Sequence, residues 1–201
     1  RREFENRLMT AIDQIRGKPD ETHALLYLDL DQFKVVNDTF GHSAGDALLQ
    51  QLAELVHSSI RSTDLLSRLG GDEFGILLEN CELEQATVLA DRIREEIKEF
   101  RFVWEDKVFT IGVSIGVVAI DATTTDLSRI MSSADLACYT AKDSGRNRVH
   151  VYEHSDELVS ERHGEMHWTG RIARAMDENR FRLYRQPIVG LTGDTSEHFE
   201  V

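Results

Sequence analysis

Apolar positions along the chain alternate between a helical and an extended period, and the changes of period mark its elements. Phe4, Leu8, Ala11, Ile12 and Ile15 recur at helical spacing, predicting an amphipathic helix from residue 2 to about Gly17 and Pro19. Ala24-Leu25-Leu26-Tyr27-Leu28-Asp29-Leu30-Asp31 is a nearly continuous apolar run, as a strand buried on both faces requires. The stretch from Thr39 to Asp46, punctuated by Gly41 and Gly45, reads as a loop. Leu48, Leu49, Leu52, Leu55, Val56 and Ile60 then predict a helix over 46–60. Leu65-Leu66 and Phe74-Gly75-Ile76-Leu77-Leu78 flank Gly70-Gly71, the pattern of a tight β-hairpin. Helical spacing returns over 82–100 and 127–142. Between them the β-branched alternation of 107–120 predicts one long strand, and a short strand is expected over 149–152.

The order strand, helix, hairpin, helix, strand, helix, strand predicts an α+β fold, a mixed β-sheet with flanking helices in the ferredoxin-like style. From Glu153 onward the composition shifts. A polar helical stretch with Met166, Trp168, Ile172 and Met176 precedes the strand-like Phe181–Val189. The expected division is a first domain over 1–153, a linker helix over 154–180 and the start of another unit over 181–201.

Charge and cysteine content narrow the function. Acidic residues outnumber basic ones 36 to 23, a net charge of −13, which opposes binding to a nucleic-acid polymer. A nucleotide substrate therefore needs local positive charge or metal. Cys81 and Cys138 lie far apart without metal-site spacing, which points to a reducing cytoplasm. No apolar run is long enough for a transmembrane or secretory segment, and the abrupt ends at Arg1 and Val201 suggest a piece of a longer protein, membrane-anchored or not through upstream regions.

Four acids are candidates for a site, with a solvated acidic turn as the structural alternative for Asp72 and Glu73. Asp29 and Asp31 end a buried strand, where unpaired carboxylates are costly, and Asp72-Glu73 places like charges side by side at a hairpin tip. N-capping of the following turn is a structural alternative for Asp31, but period two puts Asp29 on the same face as Tyr27 and Asp31. Read singly, Asn37 is a turn residue and Asp46 a first-turn helix acid. Lys142 and Arg146, spaced i and i+4, could face one way and hold a triphosphate. Together these residues suggest metal-assisted phosphoryl or nucleotidyl transfer.

Gly70-Gly71-Asp72-Glu73-Phe74, preceded by Asp29-Leu30-Asp31-Gln32-Phe33-Lys34-Val35-Val36-Asn37-Asp38-Thr39-Phe40-Gly41-His42 and followed by Lys142-Asp143-Ser144-Gly145-Arg146-Asn147, resembles the GGDEF family of diguanylate cyclases. The resemblance implies a palm-type fold and condensation of two GTP molecules into cyclic di-GMP across a homodimer. It implies Asp29, Asp72 and the Leu30 carbonyl as ligands of Mg²⁺ or Mn²⁺, two ions per active site. Asn37 and Asp46 become guanine partners. The substrate-binding set further includes Phe33, Lys34, His42, Gly70, Gly71, Lys142 and Arg146. Asp72, Glu73 and Lys34 form the implied catalytic set, with the general base left between Asp72 and Glu73. Arg61-Ser62-Thr63-Asp64 resembles the family's inhibitory product site, with Arg92 as a second contributor; a surface ion pair is the structural alternative. The 181–201 stretch resembles the opening of an EAL phosphodiesterase domain. Two other functions follow from these features: a GTP-binding module that regulates an attached phosphodiesterase, and a cyclic di-GMP receptor acting through Arg61 and Asp64.

Overall fold

The computed structural model describes residues 1–156 apart from Gly17, Pro19, Asp20, Thr125 and His154, together with two short strands, Gln186–Ile188 and His198–Glu200. In the first unit, Arg1–Glu157, five strands form one sheet. The central strand β1, His23–Asp31, is buried at all nine positions, as its apolar run requires. It pairs antiparallel with β3, Glu73–Leu78, on one side and with β6, Gly112–Ile120, on the other. Strand β2, Leu65–Gly70, completes the hairpin with β3, and β7, Val149–Val151, lies parallel to β6, so the order is β2-β3-β1-β6-β7.

Alternation along β1 sorts its side chains between two cores. Leu26, Leu28 and Leu30 join Leu48, Leu52 and Val56 of α3, His42–Ser59, and Ala90, Ile93 and Ile97 of α4, Leu83–Glu99. Leu25 and Tyr27 face Phe4, Leu8 and Ile12 of α1, Arg2–Ile15, and Ala134 and Cys138 of α5, Leu127–Asp143. The result is the expected α+β arrangement, a mixed sheet with helices on both faces. Asp29 and Asp31 share the Tyr27 register and therefore the α1/α5 face.

Two glycines let α1 and α5 come close beside Tyr27, whose cross-strand neighbours are Gly75 and Gly116. A Cβ on Gly75 would lie 2.7 Å from Phe4 Cζ; one on Gly116 would lie 2.4 Å from both the Ala134 carbonyl oxygen and the Cys138 nitrogen. Helix α5 thus rests with its backbone against β6, which brings Lys142 in its last turn over the end of β1.

Four expectations change. The segment read as a loop before residue 46 is helical: α2 spans Phe33–Phe40 and α3 begins at His42, with Gly41 alone between them at φ 82°. The long strand expected over 107–120 is two. Strand β5, Lys107–Phe109, folds back on β4, Phe102–Trp104, as a separate two-stranded ribbon through Glu105 and Asp106, both at positive φ. That turn lacks the Asn-Gly or Gly-Gly signal that sequence reading relies on. Asp31 does not cap α2, whose N-cap is Gln32 in the left-handed region with no side-chain cap. Arg146 is not on a helical face with Lys142, because α5 stops at Asp143 and Arg146 lies beyond it at φ 61°.

In the second unit, Leu158–Val201, strands β8 and β9, Gln186–Ile188 and His198–Glu200, pair antiparallel. The linker helix expected over 154–180 falls almost wholly outside the described residues.

Candidate active site

The hairpin tip is built from backbone constraints. Gly71 adopts φ 49°, the register shifts between Arg68 and Gly70, and Arg68 Nε donates to the Gly71 carbonyl at 2.8 Å. A Cβ on Gly70 or Gly71 would meet nothing within 4 Å, so the tip presents bare backbone to open space. The Leu30 N–H donates to the Asp72 carbonyl at 3.3 Å, tying the tip to the end of β1, and Asp29 is the cross-strand partner of Glu73.

This register gathers three carboxyl groups. Asp29, 8% exposed, accepts an ion pair from Lys142 Nζ. Burial pushes the Asp29 carboxyl up to about 6; Lys142 opposes the rise, and the charges of Asp72 and Glu73 add to it. Burial also works against the charge on Lys142, but the Asp29 hydrogen bond and charge outweigh it and hold the ammonium above its ordinary value. The partners differ because Lys142 sees mainly anions, whereas Asp29 sees one cation and two acids. Burial raises the Tyr27 phenol, and the nearby charge of Glu73 raises it further.

Helices α2 and α3 bring the other predicted residues together. A Cβ on Gly45 would lie 2.0 Å from Asn37 Oδ1 and 3.0 Å from Phe33 Cζ, so the helices meet there and Asn37 lies beside the turn that carries Asp46. Phe33 is buried under this contact, while Lys34, His42 and Asp46 are exposed. Neither helix has a side-chain N-cap, and in the first turn of α2 the Val35 N–H bonds to the Gln32 carbonyl while those of Phe33 and Lys34 are left available to an anion. Arg146 lines one cavity with Asp31, Gln32 and Asn147, beside the start of α2.

A second cavity, apart from these residues, is lined by Arg61, Asp64 and Arg92 with Ser59, Cys81 and Val88. Arg61 N–H donates to Asp64 Oδ2 at 2.9 Å, and Arg92 Nη2 donates to the Ser59 carbonyl. Asp64 thus engages the Arg61 backbone, and no side-chain ion pair joins them among the described residues, contrary to the surface ion pair weighed from sequence.

Sequence reading missed the residues that fix the site from behind. Tyr27 contacts Glu73, and Ser114, fully buried, donates to Asp31. Period two places Tyr27 on the Asp29 face, but the Ser114 contact crosses 83 positions and leaves no local signal.

Metal fit rests on the donor set. No cluster of three His, Cys, Asp or Glu side chains suited to a metal occurs among the described residues. The Asp29 and Asp72 carboxylates with the Leu30 carbonyl are hard oxygen donors, the kind that Mg²⁺ and Mn²⁺ accept when substrate phosphates complete the shell. A dication here would also favour the ionised Asp29 carboxylate against the burial, and the added charges of Asp72 and Glu73, that push it up. The residues fit.

A mixed palm-type sheet, with acids converging from a central strand and a neighbouring hairpin, defines a nucleotide-cyclase-like catalytic domain. Residues 1–148 match the family described as diguanylate cyclase, GGDEF domain. The chain belongs to this family. It is 43% identical over 178 residues to the probable diguanylate cyclase DgcE of Escherichia coli, covering 89% of this chain and 15% of that protein. It is 37% identical over 194 residues to the cyclic di-GMP phosphodiesterase PdeB of Shewanella oneidensis, covering 95% and 22%. The solved GGDEF domain of TpbB (YfiN) from Pseudomonas aeruginosa superposes with a TM-score of 0.75 at 31% identity, over 80% of this chain and 94% of that one. The chain thus spans under a quarter of the length of both curated relatives.

Proposed function

We propose that the 1–153 domain is a diguanylate cyclase, joining two GTP molecules into cyclic di-GMP with release of two pyrophosphates. Each half-reaction is attack of a ribose 3′-hydroxyl on the α-phosphate of the other GTP. The observation that carries this reading is the convergence of Asp29, Asp72 and Glu73 with Lys142 in a domain of this family. Asn37 and Asp46 hold the guanine, the Asp46 carboxylate accepting from its N–H donors, with His42 at the mouth of this subsite. Phe33 and Lys34 N–H groups, the Lys34 side chain, Lys142 and Arg146 bind the phosphates.

Asp29, Asp72 and the Leu30 carbonyl would hold two Mg²⁺ or Mn²⁺ ions; when bound, these supply Lewis-acid stabilisation of the phosphoryl oxygens. Bare Gly70 and Gly71 admit the nucleotide to the hairpin. Glu73 and Asp72 are the two carboxylates able to take the 3′-hydroxyl proton. One domain binds one GTP, so the two-fold symmetric product needs two domains face to face, and activity requires a homodimer. GTP as substrate makes the cytoplasm the working compartment. Cyclic di-GMP also binds the separate Arg61–Asp64–Arg92 cavity as an inhibitor.

Incubation with GTP and Mg²⁺ at several protein concentrations tests this, with cyclic di-GMP and pyrophosphate quantified. Product should rise more steeply than linearly with protein and vanish in Asp72→Ala. GTP binding without product at every concentration would sink the enzyme reading. A second reading, a GTP-binding module governing an EAL domain that begins at 181–201 after a linker helix over 154–180, draws support from the PdeB alignment, which continues beyond residue 148. It predicts that GTP alters cyclic di-GMP hydrolysis by a C-terminally extended protein and that this chain hydrolyses none.

A further inference from the structure

Asp31 plays no part in the chemistry above, yet both of its oxygens are committed. Its carboxylate is 8% exposed; Oδ1 accepts from Ser114 Oγ at 2.8 Å and Oδ2 from the Asn147 backbone N–H at 2.9 Å. The segment it grips is conformationally unusual, since Gly145, Arg146 and Asn147 all have positive φ, at 119°, 61° and 46°. Hydrogen bonds back to the last turn of α5 hold the start of this turn: Gly145 N–H to the Lys142 carbonyl and Arg146 N–H to that of Ala141. Asn147 is held from the opposite end of the domain sequence. Gly112 gives the carboxylate room, because a Cβ there would lie 2.8 Å from Asp31 Oδ2 and 3.2 Å from Asn147 Cβ.

We infer that Asp31 is a positioning residue for phosphate binding by Arg146. This rests on the assignment of Arg146 to the triphosphate. Consecutive non-glycine residues in the left-handed region do not stay there unaided. Fixing the Asn147 N–H selects one state of the turn and so one direction for the preceding side chain. The Arg146 guanidinium carries no hydrogen bond or ion pair among the described residues, which leaves its donors for an anion. Asp31 lies two residues after Asp29, so one strand end carries both a member of the acidic site and the carboxylate that holds the Asn147 N–H.

The test is calorimetric binding of 3′-deoxy-GTP with Mg²⁺ to the whole chain, since this analogue lacks the attacking hydroxyl and cannot turn over. Arg146→Ala should weaken binding about tenfold. Asp31→Ala should also weaken it about tenfold, but by less than twofold when Arg146 is already alanine. Asp31→Asn should restore binding, because its amide oxygen can accept from Asn147 while its NH₂ donates to Ser114 Oγ. If Asp31→Ala does not fold, Ser114→Ala, which frees one oxygen only, should give roughly a threefold loss that also disappears in the Arg146→Ala background. Undiminished binding by Asp31→Ala, or a loss that persists without Arg146, overturns the inference and leaves the phosphate assignment standing. An Arg146→Ala protein that binds like the wild type overturns both.

Discussion

Lys142 and Asp29 form an ion pair where the last turn of α5 crosses the end of β1, and the two respond to it unequally. The ammonium is held charged, while the carboxyl is pushed up to about 6 by burial and by Asp72 and Glu73. The metal-free site is therefore electrostatically loaded, and the load has a pH signature. A folded-state value raised above the ordinary 3.8 means that the contribution of Asp29 to stability is full below that value and is lost as pH rises through 6. Compared with Asp29→Asn, the wild type should lose on the order of 1 kcal/mol between pH 4 and pH 7, allowing for solvent screening. Thermal unfolding of both proteins across that range, without divalent metal, measures it. Adding Mg²⁺ and GTP analogue at pH 7.5 should raise the Tm of the wild type and not of Asp29→Asn.

Close glycine contacts predict two different failures. A methyl at Gly116 meets the backbone of α5, which cannot rotate away, so Gly116→Ala should cost roughly 2–3 kcal/mol in urea unfolding. At Gly45 the nearest obstacle is the Asn37 side chain, which can turn aside. Gly45→Ala should cost about 1 kcal/mol of stability yet lower affinity for GTP at least tenfold, because the displaced amide is the proposed guanine partner. Stability and nucleotide binding should thus separate between the two variants.

The Arg61 cavity predicts a functional separation. Arg61→Ala should weaken cyclic di-GMP binding by tenfold or more and relieve product inhibition, while the initial rate from GTP stays within twofold of the wild type. An equal fall in initial rate would show that this cavity communicates with the hairpin even without product.

Cys138 packs against β6 with its thiol donating to the Ser114 carbonyl at 3.3 Å, and burial, with the Asp29 charge adding, pushes it up to about 12. At pH 8 its alkylation should be on the order of a thousandfold slower in the native protein than in denaturant. Mass-resolved iodoacetamide labelling checks this, and protection should collapse in Gly116→Ala as α5 loosens.

The periodicity of the sequence was enough for α1, β1, the β2–β3 hairpin, α4 and α5, since each buries a stripe or a face whose spacing is local. It failed where local cues were silent. Residues 33–40 carry Phe33, Val36 and Phe40 on too short a stretch to declare a helix, and the Glu105-Asp106 turn lacks the residues that usually announce one. The candidate site residues could be named from the sequence because the family pattern lies in contiguous motifs.

Which of those residues meet, and in what charge state, was decided only by the tertiary structure. The pairing of Asp29 with Glu73 depends on strand register, and that of Asp29 with Lys142 on a bare Gly116 that lets α5 touch the sheet. The sequence spacing of Lys142 and Arg146 suggested one helical face; the helix instead ends between them, and Asp31, from 116 positions away, fixes the turn that follows. Sequence alone determined which chemical groups are present and which elements carry them. Their distances and mutual fields arise from contacts between distant segments, which no local pattern of residues encodes.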